Sequence, residues 1–564
     1  AISGAASYIQ ARKAAKDAKK AQDSARGVLL NKESNVEPLP VIYGERRVGG
    51  TRVFIATKDS PATDWANEYL YICLALCEGE VESITDVHLD DVPLSDSRFT
   101  GWYNIEYHYG TDDQTASTLL QQTADWTSSH RLRGVAYIAL RLWVNQDIYS
   151  GIPDITAVVK GRKVYDPRTT ATAWSDNPAL CIRDYLTNNR YGKGLSTSAI
   201  DDTAFGAAAT DCEESVTLYS GGGSGQLFRS NAVIDTGSKI FDNLNLLITG
   251  CRGFLPYTQG TYSLKIDGSS SNVFDFTTDN ILDGIQIQGE SKSDKYNRVT
   301  VKFANPDNNW QPDVAIYPEG GSGDETAYLA EDGGELLHEE IELDTITNYY
   351  SARDLARVIL LRSRNALRVQ FNSTSEALQL TVGDVVTVTH PTPGWDEKPF
   401  QVEEIILNYD GTCGLSLLEY DSTIYTWEAG QVQRTYSDTN LPNPFSVAWP
   451  TGLYVTETTA LAPDGTVVPA LRLNWTAAVD SFVTRYEVQW IQANFADYGL
   501  ITDPEPNEAD WGYIDGVPIT ISDYGAITAG VGAPAPEFES SFVTTPQYLI
   551  VGVQIGDVYS FRVR

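Results

Sequence analysis

The chain has 564 residues, 42% of them hydrophobic and 11% aromatic, with a formal net charge of −34. Such a length holds about three to five domains and buries several cores. The acid excess excludes nucleic-acid binding through a general basic surface, and no apolar run approaches the ~20 residues that span a bilayer, so no stable membrane span is expected.

The charge is uneven. Residues 1–27 carry six basic and two acidic side chains, and residues 401–564 carry 5 basic and 21 acidic. Residues 5–26 read as a basic helix, because alanine is the best helix former and Gly27 is placed to end it. Ala11, Ala14, Ala18, Ala21 and Ala25 repeat at 3-4-3-4 spacing and make a thin apolar seam. The seam buries too little to hold a lone helix in water. It is either a frayed basic tail or a helix docked on a partner that small side chains let approach closely.

From 41 to about 165 the chain is β-rich. "TRVFIAT" (51–57), "EYLYICLAL" (68–76), "EVESITDVHL" (80–89), "GVAYIALRLWV" (134–144) and "ITAVVKGRKVYD" (155–166) have strand composition. "CEGE" and "KGRK" read as tight turns between strands. "NPALCIRDYLTN" opens with Asn-Pro, a good helix entry, and "AIDDTAFGAAATDCEES" is a second helix. "SGGGSG" (220–225) reads as a flexible loop. "SKIFDNLNLLITGC" is a helix, and "GFLPYTQGTYSLKI" is a hairpin turning at Gln259-Gly260. "YNRVTVKFA" is a strand, and "ARDLARVILLRSRNA" is an amphipathic helix. The short strands "LRVQFN", "GDVVTVTH", "FQVEEIILN" and "CGLSLLEYD" suggest a small barrel.

Residues 443–564 differ. "PFSVAWP", "ALRLNWTAA", "RYEVQWI" and "GDVYSFRVR" follow the strand order of a fibronectin type III sandwich, with Trp475 as a core aromatic and Tyr559 resembling its corner tyrosine. Residues 492–540 read as an acidic insertion. The chain stops in what should be a sixth strand, so more β structure is expected beyond Arg564.

The six cysteines (73, 77, 181, 212, 251, 413) form no CxxC pair and have no histidine at ligand spacing. They read as buried free thiols, Cys73 and Cys77 pointing to one face of a strand. The five histidines are scattered, and no GxSxG, HExxH or P-loop signature occurs. His88 in "VHLDD" reads as part of a hairpin turn with solvated Asp90 and Asp91 rather than a metal site. "GGSGDE" (320–325) lacks a following lysine and reads as a loop. Catalytic, cofactor and metal residues are therefore none. Arg46 and Arg47 either grip a partner carboxylate or lie on a strand surface.

Five stretches appear in order: "LPVIYGERRVGGTRVF" (39–54), "LALCEGEVESITDVHLDD" (74–91), "VKGRKVYDPRT" (159–169), "NPALCIRDYLTNNRYGKGL" (177–195) and "LEYDSTIYTW" (418–427). Together they resemble the central tail hub, or tip attachment protein J, family of lambda-like long-tailed phages. The resemblance covers about 30–430, and the fibronectin module fits it. It implies a multidomain, mainly β protein with α elements. The parts are a basic helix (1–30), a first tube-like β hub domain (31–165), a helical segment (166–235), a second β hub domain (236–345), a helix with a small β-barrel (346–442) and a fibronectin type III domain (443–564). It implies a non-enzymatic homotrimer at the virion tail tip, assembled in the host cytoplasm. The trimer would cap the tail tube, carry the receptor-binding tip and form the conduit for DNA ejection. Partners would be the distal tail ring, the tape measure, receptor-binding or central fibre modules, a bacterial surface receptor, and phage DNA in transit. The site residues would be partner-facing: the five seam alanines with Arg46 and Arg47. Gly44, Gly49 and Gly50 would permit turns that a side chain would block. The competing class is a tail-associated enzyme that degrades cell wall or surface glycan.

Overall fold

The computed structural model describes residues 29, 31–32, 37–59, 67–143, 149, 151–282, 284–289, 294–365, 367–434, 450–478, 483–493, 539–553 and 558–563. The fold is mainly β and multidomain. It divides into two compact units, Ala1–Tyr436 and Ser437–Arg564. The 5–26 stretch lies outside the described residues, as do "PFSVAWP" but for its last residue and most of the 492–540 insertion.

The first unit opens with two facing sheets. In one, Tyr69–Glu78 is central, flanked by Gly50–Lys58 and Val135–Trp143, with Asn31–Lys32 and Tyr103–Tyr109 at the edges. In the other, Ile155–Asp166 pairs with Glu45–Val48, Val81–Leu89 and Ala171–Trp174. Ile72, Leu74, Leu76, Ile138 and Leu140 fill the space between the sheets with Ile155 and Val159. The opposite face of the first sheet is also buried, under Leu119, Leu120 and Trp126. Burial on both faces explains why "YICLALC" is a continuous apolar run rather than an alternation.

Three turn and register expectations are corrected here. "KGRK" is not a turn: Ile155–Asp166 runs straight through it. Gly161 is there because the backbone of Ile42 crosses it, and a Cβ would lie 2.1 Å from the Ile42 carbonyl oxygen. Cys73 and Cys77 do not share a face. The register shifts between Ala75 and Cys77, which moves Cys77 to the inter-sheet core and leaves Cys73 under Trp126. All six cysteines are nevertheless free and buried. "SGGGSG" is not merely a loop either. It contributes the strand Gly222–Gln226, which pairs with Ser215–Tyr219.

The helical block follows. Helix α1 (Pro178–Thr187) is capped by Asn177, whose side chain accepts from the Ala179 N–H, with Pro178 in the first turn. Helix α2 (Asp202–Cys212) is capped by Asp201, and α3 is Ile240–Gly250. Their core takes in Val41, Tyr43 and Val164, so the entry stretch lies between the sheets and the helices.

Arg298–Asn305 then pairs antiparallel with Gln311–Tyr317 and parallel with His338–Glu342. "GGSGDE" starts helix α4 (Gly323–Glu331). Ser322 accepts from the Glu325 N–H and Glu325 accepts from the Gly321 N–H, a variant of the capping box. Helix α5 (Tyr349–Arg364) lays Leu355, Ala356 and Leu360 against Val299, Val301 and Phe303. A further, six-stranded sheet is a half-barrel. It draws Asn272–Phe276 and Gln286–Gly289 from before residue 345, pairing them with Val385–His390 and Leu367–Ser373. The expected boundary at 345/346 therefore cuts through one core, that of Phe276, Phe371, Val388 and Phe400.

The second unit holds two three-stranded sheets. One is Thr451–Leu461, Val467–Thr476 and Gln547–Val551; the other is Glu539–Val543, Tyr486–Ala493 and Val558–Val563. Leu473, Val488 and Phe561 are fully buried between them, and Trp475 meets Tyr486 edge-on at 5.4 Å.

Candidate assembly joints

Three buried polar joints fasten the parts of the first unit, and the five sequence motifs fall largely on them. The first gathers residues from four motifs. At Gly44, φ is +65° and a Cβ would lie 2.2 Å from the Ser230 carbonyl oxygen, so only glycine fits. Its neighbour Tyr43 exchanges backbone hydrogen bonds with Ala232. The hydroxyls of Tyr43 and Tyr191 both donate to Asp184 Oδ2 at 2.6 Å. Arg162 stands 3.8 Å from the same oxygen, 5.2 Å over the Tyr191 ring. Arg190 pairs with Glu78. Burial, with Asp184 alongside, pushes the Tyr43 hydroxyl well above its usual range, so it remains a donor.

The second joint is built by the two arginines. The Arg47 side chain is 0% exposed. It donates to Thr156 Oγ1 (2.8 Å), Asn309 Oδ1 (2.7 Å) and Asp91 Oδ1 (2.7 Å). Arg46 donates to the Asp344 carbonyl at 2.9 Å and lies 5.9 Å from the Trp310 ring. Both readings open from sequence are thus corrected: the pair neither faces outward nor lies on a surface. Arg47 does grip a carboxylate, but one of its own chain. The pair ties the opening sheets to the Arg298–Tyr317 hairpin. Asp90 and Asp91 form a turn with φ of 48° and 65°, and the Asp154 N–H closes on Asp90 Oδ1. Glu342 lies on the neighbouring strand. Burial, with Asp344 adding to it, pushes its carboxyl from an ordinary 4.5 up to about 7. A raised folded-state value means a contribution that is present below about 4.5 and lost as pH rises through about 7. Glu342→Gln should therefore gain stability relative to the parent between pH 4 and 8, measured by denaturant midpoints. A gap that stays flat over that range would contradict the assignment.

The third joint is the segment 418–434, which lies as a strap across the unit. Tyr420 donates to the Gly268 carbonyl (3.0 Å) and Tyr425 to Asp267 (3.0 Å). Asp267 is buried and also takes Arg362 (2.6 Å) and Gln401 (2.8 Å). Trp427 donates its indole N–H to Thr217 O at 2.7 Å. Glu428 accepts from Arg353 at 2.8 Å, and Arg357 donates to Thr426 O and Asp354. These bonds bind half-barrel, α5 and the 215–226 hairpin into one body.

The seam alanines Ala11, Ala14, Ala18, Ala21 and Ala25 lie outside the described residues. The sequence reading missed Asp184, Asp267 and Arg362. The available signal was a charged residue inside an apolar stretch, as in "CIRDYL" and "SLKIDG". Chemically, the joints neutralise their ionised groups against one another. Burial also pushes the cysteine thiols up, Cys77 and Cys251 to about 12, so they stay protonated.

A family model described as "Putative phage tail protein" matches residues 259–405. Baseplate hub protein pb3 of Escherichia phage T5 is 22% identical over 467 residues, covering 69% of this chain and 48% of the relative. Tip attachment protein J of Escherichia phage SECphi27 is 24% identical over 248 residues, 43% of this chain and 19% of the relative. A chain of the native gene transfer agent virion aligns with a TM-score of 0.49 at 17% identity, covering 72% of this chain and 89% of that one. This chain spans about half the length of the first relative and a fifth of the second. The sequence matches bear out the resemblance carried by the motifs, which is to phage tail proteins of the hub and tip attachment kind.

Proposed function

We propose that the chain is the structural hub of a phage tail tip. Three copies cap the tail tube, link it to the host-attachment tip and enclose the path of DNA ejection. The observation that carries this reading is the convergence of the family-like motifs on joints that lock the β bodies and helical block together. A part that transmits load between tube and tip needs such rigidity. Two β-rich bodies per chain, times three chains, would meet a sixfold tube, and a closed symmetric interface of that kind is large and partly apolar. The second unit, with Trp475 and Tyr559 buried in a two-sheet core, is read as a fibronectin type III module leading towards the receptor-binding tip. Mass measurement of the assembled chain tests the copy number. A ring of three is expected; a stable monomer or a ring of six whole chains would defeat it.

Residues 5–26, read from sequence as a basic helix, dock on a neighbouring tail component through their alanine seam, with the tape measure or tube-side ring as the partner, or line the hub's upper entrance. Replacing Ala14 and Ala18 with Gln should disturb assembly and leave the first unit's unfolding unchanged. Normal assembly of the double variant would count against docking. Channel-facing surfaces are acidic or neutral, because a wall of Lys and Arg would bind phosphate through counterion release and slow DNA. An acidic wall repels DNA over a screening length of about 8 Å. A lumen lined mainly by Lys and Arg would end that part of the reading.

A further inference from the structure

We propose that a groove within the first unit is a saccharide-binding site. The groove encloses about 400 Å³ between Trp174 and Asp176, the Trp310 turn, and the start of α5. That volume lies within the roughly 300–1,000 Å³ of small-molecule sites.

Its walls are aromatic and fixed. Trp174, Trp310, Tyr349 and Tyr350 line it, each half-buried. The Trp174 indole N–H is tied to the Gly44 carbonyl at 3.2 Å, and the Lys160 ammonium sits 5.1 Å over the ring. Tyr349 and Tyr350 meet edge-on at 5.4 Å. Asn309 and Trp310 have φ of 55° and 62°. A bulky side chain in that region is rare, and such conformations gather at functional sites.

Polar groups sit among the rings. Asp176 Oδ2 lies 3.4 Å from Arg229 Nη1, pairing an acceptor with a donor as two adjacent sugar hydroxyls require. Asn231, Asn305 and Asn348 also line the groove.

A sugar ring offers a C–H face to an aromatic surface and hydroxyls at its edge, and this lining suits both. The three lining carboxylates of Glu45, Asp176 and Asp307 outnumber the two lining arginines, Arg229 and Arg434, which disfavours phosphate-rich ligands, and a purely aliphatic group would offer Asp176 and Arg229 no hydrogen bond. The inference does not depend on the trimer.

The test titrates the full chain with maltohexaose, chitotetraose and a galactose-containing oligosaccharide, following tryptophan fluorescence and saturation-transfer NMR. At least one should bind saturably. Trp310→Phe and Arg229→Gln should each weaken it by about tenfold or more. Arg229 is 53% exposed in its side chain, so that variant should fold. Tyr409→Phe, at a fully exposed ring away from the groove, should bind as the parent does. No binding up to ~10 mM, binding that survives both groove variants, or saturable binding of extended peptides alone would overturn the proposal.

Discussion

Gly161→Ala is expected to destabilise the first unit by about 1–3 kcal/mol or more. Its Cβ would lie 2.1 Å from the oxygen and 2.6 Å from the carbonyl carbon of Ile42. Both are backbone atoms, so no rotamer change relieves the overlap. The Gly161 N–H also donates to the Gly44 carbonyl at 2.7 Å, which fixes the two chains at that spacing. Neither chain can withdraw: Ile155–Asp166 pairs with three other strands, and Val41–Ile42 pairs with Val233–Ile234. Gly320→Ala, where nothing lies within 4 Å of the added carbon, is the control and should be close to neutral. Denaturant midpoints of the first unit's transition decide the matter. Equal midpoints for the two variants would mean that the entry stretch is not seated as described.

Arg47→Met should cost about 2–4 kcal/mol, as expected for breaking a buried charged hydrogen-bond set. The figure sits below the upper range because Asp91 is 64% exposed and returns to water when released. Thr156 is buried and does not have that option. Arg47→Lys should recover little, since one ammonium cannot reach Thr156, Asn309 and Asp91 together. Asp91→Asn should cost only about 0–1 kcal/mol, in line with exposed ion pairs. An Asp91 variant as damaging as the Arg47 variant would contradict the burial assigned to this joint. So would a neutral Arg47→Met.

Gly161 and Arg47 were each visible in the sequence within a motif, yet their roles were not. Period and composition locate strands such as Tyr69–Glu78 and helices such as α1 and α5, because those signals are local. A glycine within a polar run reads equally well as a turn or as a close crossing, and only the position of Ile42, more than a hundred residues away, decides between them. The same holds for Arg46 and Arg47. Charge argues for a surface, and the partners lie 44 to 298 positions along the chain. Two errors were avoidable from local chemistry. Ser322 and Glu325 carry a helix-start spacing within "GGSGDE", and the glycines of "SGGGSG" follow a strand-forming "SVTLY". The displacement of Cys77 was not avoidable, since a bulge leaves no mark in the spacing of apolar residues. Nor was the recruitment of Asn272–Phe276 and Gln286–Gly289 into the half-barrel, because strand pairing across a hundred residues has no signature in one sequence.

The structural claim reduces to where the chain sits and in how many copies. Electron cryomicroscopy of the virion that carries it, with the first unit fitted to the density, measures both together. The account predicts three copies in a closed ring at the end of the tail tube. Density for the chain elsewhere in the particle, or a tube end closed by some other protein, would contradict it.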